Sequence, residues 1–228
     1  MHNSLYRVNV GCGQTPTPGW KNFDNSPSVR LARRPLMARL LRAVGMLDDA
    51  QWSNIEFCRG NDIAWADACA CIPLPDASVE VLYSSHMLEH LDREEADRFL
   101  GEARRVLVPG GVLRLAVPDL AVLVREYNQT GNANVLLERM HLSSARPRTL
   151  AHRLRFILLG QRNHLWMYDA ASLSLLLRAQ GFEDVRVMPV GSSSIPEPGV
   201  LNLRERESES LYFEACNPRS AGERAIAV

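Results

Sequence analysis

Apolar and polar positions alternate along the chain with two periods, one near two residues and one near three and a half. Leu5 to Val10 has strand character and breaks at Gly11-Cys12-Gly13, a turn without bulky side chains where a ligand can lie against backbone N–H groups. With a strand this early, no N-terminal accessory domain is expected. Pro16, Pro18 and Gly19 follow, so a compact loop is expected where a long first helix would otherwise stand. Trp20 to Phe23 reads as a second short strand ending at Asp24. Leu31 to Gly45 has helical spacing, with Leu36, Leu40, Leu41 and Val44 on one face and Arg33, Arg34, Arg39 and Arg42 largely on the other. It reads as a surface helix with a solvated basic face, or as a contact for an anionic substrate or membrane surface.

Asp62 to Ala66 predicts a third strand ending at Asp67, and Val79 to Tyr83 a fourth, introduced by the turn Pro73 to Asp76. Asp92 with Glu95 three residues on is a helix start, and Ala96, Phe99, Leu100, Ala103, Val106 and Leu107 supply its apolar stripe. Pro109-Gly110-Gly111 is expected to end it, before a fifth strand from Val112 to Val117. Residues 119–168 are mainly helical in pattern, with pieces at Leu120 to Tyr127, Val135 to His141 and Leu150 to Leu159. A cap over the strand ends is the expected arrangement. Asp169 caps a helix to Ala179 that stops at Gly181, and Val185 to Val190 and Leu211 to Cys216 are the last strands. The span from Gly191 to Ser210, rich in Ser, Pro and charge, reads as a loop, and 217–228 as a frayed tail.

Alternation of strand and helix predicts a doubly wound α/β fold. It has a mostly parallel sheet of about seven strands, the last antiparallel, in one domain spanning 1–216. At 228 residues and 46% hydrophobic, the chain can bury a full core. Basic and acidic residues balance at 26 each, so no global field draws it to nucleic acid or lipid. Local patches could still do so; a second acid-free basic run passes through Arg146, Arg148, Arg153, Arg155 and Arg162. Five cysteines without zinc-site spacing read as reduced thiols, and no metal is expected from them. The most apolar stretch, Val112 to Val124, is broken by Arg114, Pro118 and Asp119, so no transmembrane segment is expected and the protein is expected to be cytoplasmic.

Four blocks then stand in order: Asn9-Val10-Gly11-Cys12-Gly13, Ile72 to Val79, Ser85-His86-Met87-Leu88-Glu89-His90, and Arg105 to Gly111. Together they resemble the class I S-adenosylmethionine-dependent methyltransferases of the type 11 group, over about two hundred residues through Met167-Tyr168-Asp169 to Gly181-Phe182. The resemblance implies a Rossmann-like fold with a helical cap insertion and S-adenosyl-L-methionine as cofactor. Gly11, Cys12 and Gly13 would pass beneath its methionine portion, with Cys12 as a small packing residue. Asp24 would take the ribose hydroxyls, Asp67 the adenine amino group, and the Ala68 N–H would lie beside the ring. Asn9 replaces the acid common at its position, which changes the contact to the methionine amino group. Ser84 and Ser85, at the end of the fourth strand, would stand nearest the methyl group.

Methyl transfer from a sulfonium chiefly needs the nucleophile held in line, with a base only for a protonated hydroxyl or amine acceptor. His86, Glu89 and His90 are the nearest candidates; Asp119 and His164 stand further off. The expected acceptor is a small molecule, a saccharide or a lipid-linked intermediate. Nucleic acid is disfavoured, because Ser84-Ser85-His86 replaces the Asn/Asp-Pro-Pro-aromatic motif of DNA amino-methylating enzymes. Two rivals remain. The chain could bind the cofactor without turnover as a partner in an assembly, or His86-Met87-Leu88-Glu89-His90 could be the H-x-x-E-H stretch of a zinc hydrolase, with two helical histidines sharing a face.

Overall fold

The computed structural model describes residues 5–141 and 163–219. The expected helix at Leu150 to Leu159, the basic run from Arg146 to Arg162 and the tail beyond 219 lie outside the described residues. Strands β1 (Tyr6–Val10), β2 (Lys21–Asp24), β3 (Ile63–Trp65), β4 (Val79–Ser85), β5 (Leu107–Pro118), β6 (Glu183–Met188) and β7 (Ser210–Cys216) form one sheet in the order β3-β2-β1-β4-β5-β7-β6. The pairs from β3 through β5 are parallel, and β7 runs antiparallel to both of its neighbours. Strand order reverses between β1 and β4, which opens a crevice at their carboxyl ends.

Among the described residues the α-helices are α1 (Pro27–Ala32), α2 (Pro35–Ala43), α3 (Asp49–Gly60), α4 (Arg93–Val106), α5 (Leu120–Thr130), α6 (Ala133–Arg139) and α7 (Ala170–Ala179). The capping box expected for α4 is present: the Glu95 N–H donates to the Asp92 carboxylate while the Asp92 N–H donates to Glu95. Asp48 and Gln51 make the same box at the start of α3, a helix the apolar spacing did not announce. Residues 11–20 hold no helix, as Pro16 and Pro18 predict.

Two local expectations need correction. Pro109-Gly110-Gly111 does not separate a helix from a strand: α4 ends at Val106 and β5 begins at Leu107, running through all three residues. Glycine at 111 is a matter of space, since a Cβ there would lie 2.9 Å from the Val108 carbonyl oxygen and 3.1 Å from that of Val79. Leu31 to Gly45 is not one helix but α1 and α2, broken because Pro35 supplies no N–H to continue α1 and instead starts α2. Nor is the apolar side of that stretch covered. Leu36, Leu40 and Val44 are 80%, 64% and 61% exposed, while Ala38 is the buried residue of α2.

One sheet face packs Val8, Val10, Leu82, Leu113 and Leu115 against Phe99 and Leu100 of α4 and Leu173 and Leu177 of α7. On the other face α1 and α3 cover the β3 end through Val29, Ile55 and Cys58. Over β4 and β5 that second face is covered by Trp20 and by Ile195 and Leu201 of the 191–203 segment, packed on Val81, Tyr83 and Val112. The same face carries Arg114, which lies directly opposite Glu214 on β7 and donates to its carboxylate at 2.6 Å. Ser193 Oγ, Ser194 N and Ser194 Oγ complete the Glu214 shell, which explains the serine-rich loop. Burial pushes Glu214 up, but these hydrogen bonds outweigh it and hold the carboxyl below its ordinary value.

Candidate functional site at the carboxyl ends of the parallel strands

The glycine turn is held to the end of β2. Gly11 N and Cys12 N both donate to the Phe23 carbonyl, at 2.8 and 3.2 Å. Gly13 N donates to Asp24 Oδ2 at 2.9 Å and Ser26 N to Asp24 Oδ1 at 2.8 Å, so each carboxylate oxygen carries one backbone donor. A carboxylate accepts about four hydrogen bonds, which leaves Asp24 capacity for two more donors. The two glycines do different work. A Cβ on Gly11 would lie 2.5 Å from Met87 Cγ, so its bare Cα makes room for a protein side chain. A Cβ on Gly13 would meet nothing within 4 Å, so the open side of the turn is at Gly13. Cys12 is buried, and burial first, then Asp24, push its thiol far up, which leaves it inert as a nucleophile.

Asn9 is buried on β1, where its Nδ2 donates to the Thr15 carbonyl and to Thr17 Oγ1, both at 3.0 Å. Its Oδ1 is buried without a donor. Past β3, Ala66 N reaches the Asp24 carbonyl at 3.3 Å, which sets Asp67 beside the end of β2. Asp67 Oδ1 accepts from Cys69 N at 3.1 Å, and its carbonyl accepts from Ala70 N and Cys71 N, winding the chain tightly around the buried Ala68. Ser84 and Ser85, the last residues of β4, pair with Val10 and Ala116 and are buried; Ser84 Oγ has no partner.

His86 follows β4 with φ +48°, a left-handed conformation that a histidine adopts at a cost of about 1–2 kcal/mol. Leu88–His90 is a single 3₁₀ turn. The zinc-hydrolase reading needed His86 and His90 one above the other on an α-helix, and this backbone does not place them so. The turn instead buries Glu89, whose carbonyl accepts Leu165 N and Trp166 N at 2.7 and 3.1 Å. The chain outside β5 thus leaves the sheet at Asp119, where it caps α5, and returns against the end of β4. That return brings His164 to Glu89. Burial, chiefly, lowers the His164 pKa to about 4, so the ring is neutral.

Sequence reasoning missed the contribution of the 204–210 segment. Glu205 accepts the Tyr83 hydroxyl at 2.8 Å and the Thr15 hydroxyl at 3.2 Å, while Ser210 Oγ lies 2.9 Å from His86 Nε2 and Arg206 Nη1 3.4 Å from His86 Nδ1. Nothing in the local pattern signals this, because its partners lie more than 100 residues away. Asp119 caps its helix through Ala121 N at 2.9 Å, a structural task.

A family model described as a methyltransferase domain matches residues 37–115, from α2 into β5, a segment that contains Asp67 through His90 but not the glycine turn. Two solved structures share the architecture. A methyltransferase from Methanosarcina mazei superposes with a TM-score of 0.52 at 14% identity, over 96% of this chain and 95% of its own. A possible histamine N-methyltransferase from Thermotoga maritima gives 0.50 at 19%, over 93% and 82%. The fold is that of the class I S-adenosylmethionine-dependent methyltransferases. A probable methyltransferase of this cofactor class from Mycolicibacterium smegmatis is 36% identical over 70 residues, 31% of this chain and 24% of that protein. The chain therefore spans about a quarter of the length of that curated relative. In a class I methyltransferase fold the crevice between β1 and β4 takes the cofactor. The open Gly13, the unsatisfied Asn9 Oδ1 and the spare capacity of Asp24 fit that group. Among the described residues no helix is long and apolar enough to cross a membrane.

Proposed function

We propose that the protein is an S-adenosylmethionine-dependent methyltransferase. The observation that carries this is the convergence of Gly13, Asp24 and Asp67 at the adjoining ends of β1, β2 and β3, tied by the Gly13 N to Asp24 bond and by Ala66 N on the Asp24 carbonyl. In this reading Asp24 accepts the two ribose hydroxyls, while Asp67 and the Ala68 N–H hold the adenine. The turn Gly11-Cys12-Gly13 underlies the methionine portion, and Asn9 Oδ1 accepts from its amino group. Ser84 and Ser85 border the methyl group. The acceptor enters beside His86, Glu89 and His90.

For the acceptor, the reading is a lipid-linked or otherwise amphiphilic molecule, saccharides included, met at an anionic membrane surface. Support comes from α2 and its approach, where exposed Leu36, Met37, Leu40 and Val44 stand beside exposed Arg34 and Arg39. Calorimetry with S-adenosylmethionine on the wild type, Asp24→Asn and Gly13→Val tests the cofactor site. Loss of at least tenfold in affinity in both variants is expected, and unchanged binding in both overturns the assignment. Cofactor binding without methylated product across a broad acceptor panel would favour the non-catalytic rival.

A further inference from the structure

Just past the end of β4, one carboxylate is enclosed by imidazoles and is given no hydrogen-bond donor. Glu89 is 0% exposed, and among the described residues neither of its oxygens has a hydrogen-bond partner. Among the described residues, His86 Nδ1 at 3.3 Å and His164 Nε2 at 3.9 Å are the basic side-chain nitrogens within 4 Å of it, neither in hydrogen-bond geometry. A buried, unpaired carboxylate is among the costliest groups a protein can hold. His86 does not relieve it: Arg206 Nη1, which can only donate, faces the same Nδ1 at 3.4 Å, and Nε2 is taken by Ser210. The Glu89 main chain is fixed at this position, because its backbone carbonyl accepts from Leu165 N and Trp166 N.

The surrounding imidazoles are arranged as ligands are. His90 Nδ1 lies 3.0 Å from the Asn163 carbonyl, an acceptor only, so this nitrogen carries the proton and Nε2 the lone pair. A backbone carbonyl on the far nitrogen is the usual way a metal-bound histidine is oriented. His164 is buried with Nδ1 unpartnered, and the His90 and His141 rings stand edge-on to it at 5.0 and 5.1 Å. One potential ligand atom from each of Glu89, His90 and His164 falls within a set whose members are all within 4.8 Å of one another.

We propose that Glu89, His90 and His164 form a binding site for a divalent transition-metal ion of the zinc type. Two imidazoles and a carboxylate are a borderline donor set that suits Zn²⁺ and Co²⁺ over the oxygen-seeking Mg²⁺ and Ca²⁺. Three protein ligands leave at least one position for water or another donor. Glu89 here is a ligand, unlike the water-activating glutamate of an H-x-x-E-H peptidase. The inference is independent of methyl transfer, because it is read from metal binding alone.

The test uses the full chain, stripped with chelator, titrated with Zn²⁺ by calorimetry and with Co²⁺ by visible absorption. One ion per chain with a dissociation constant of about 10 μM or tighter is expected, together with a low-coordinate Co²⁺ spectrum. Glu89→Gln and His164→Ala should each weaken binding at least tenfold, while Cys71→Ser, which removes an exposed thiol, leaves it unchanged. His90→Cys keeps a ligand at that position and should add a thiolate-to-cobalt absorption band. Binding weaker than about 1 mM, affinity indifferent to Glu89→Gln and His164→Ala, or a folded His90→Cys protein without the new band would each overturn the proposal.

Discussion

The Tyr83 hydroxyl donates to Glu205 Oε2 at 2.8 Å, joining β4, two residues from its carboxyl end, to a loop 122 positions away. Glu205 also takes the Thr15 hydroxyl, and its carbonyl takes Ser210 Oγ and Tyr212 Oη. One residue therefore ties the glycine turn, β4 and β7 to a single segment. Burial, and then the Glu205 charge, raise the Tyr83 pKa, so the phenol stays a donor throughout the ordinary pH range.

Tyr83→Phe removes that donor and leaves a carboxylate short of one partner. It should cost about 1.5–3 kcal/mol, the range for a hydrogen bond to a charged group. Urea denaturation measures the loss. Glu205→Gln should cost less, because an amide oxygen still accepts the bond.

The two glycines of the turn should respond differently. Gly11→Ala places a methyl 2.5 Å from Met87 Cγ at φ +68°, so it should destabilise the fold, with partial rescue by Met87→Ala. Gly13→Ala meets open space and should carry only the backbone penalty of about 1–2 kcal/mol at φ +50°. Thermal unfolding of both variants and of Gly11→Ala/Met87→Ala checks the contrast.

Arg114 and Glu214 are 0% and 1% exposed and face each other across β5 and β7. Removing one partner strands a buried charge, so Arg114→Ala should cost about 3–5 kcal/mol. The folded pKa of Glu214 lies below its unfolded value, so its contribution is fully present above the unfolded carboxylate pKa near ~4.3. It is lost as pH falls through the folded value, when the native state must take up the proton. Stability measured from pH 7 downward should therefore fall more steeply in the wild type than in Glu214→Gln, which begins less stable.

The exposed apolar face of α2 predicts membrane-surface binding. Wild-type protein should sediment with vesicles rich in anionic phospholipid and release as salt rises. Leu36→Ser/Leu40→Ser should abolish sedimentation, and neutral vesicles should retain little protein.

Seven strands were legible because apolar or alternating runs are bounded by breaks such as Gly11, Asp24 and Pro118-Asp119, and period and punctuation are local properties. The places of Asp24, Asp67 and Gly13 at or just past strand ends were legible for the same reason, since they follow from where the strands stop. The first loop was equally plain, since Pro16 and Pro18 forbid a helix whatever surrounds them. The break at Pro35 was written in the chain too, but the apolar spacing on either side outweighed it in a reading by period alone.

What the linear order left open depends on which distant segments meet. Apolar spacing in Leu36, Leu40 and Val44 describes a stripe without saying whether anything covers it, and only the packed structure leaves it bare. Arg114 looked like an interruption of an apolar strand until β7 set Glu214 opposite it. The histidines of His86 to His90 suggested a helical pair. Tertiary contacts instead wound a 3₁₀ turn, buried Glu89 and brought in His164 from beyond the insertion. Local sequence determines where backbone elements begin and end, because steric preference and hydrogen bonding act within a few residues. Chemistry made by groups more than 70 positions apart is decided by burial, since only the closed core fixes which polar groups must satisfy one another.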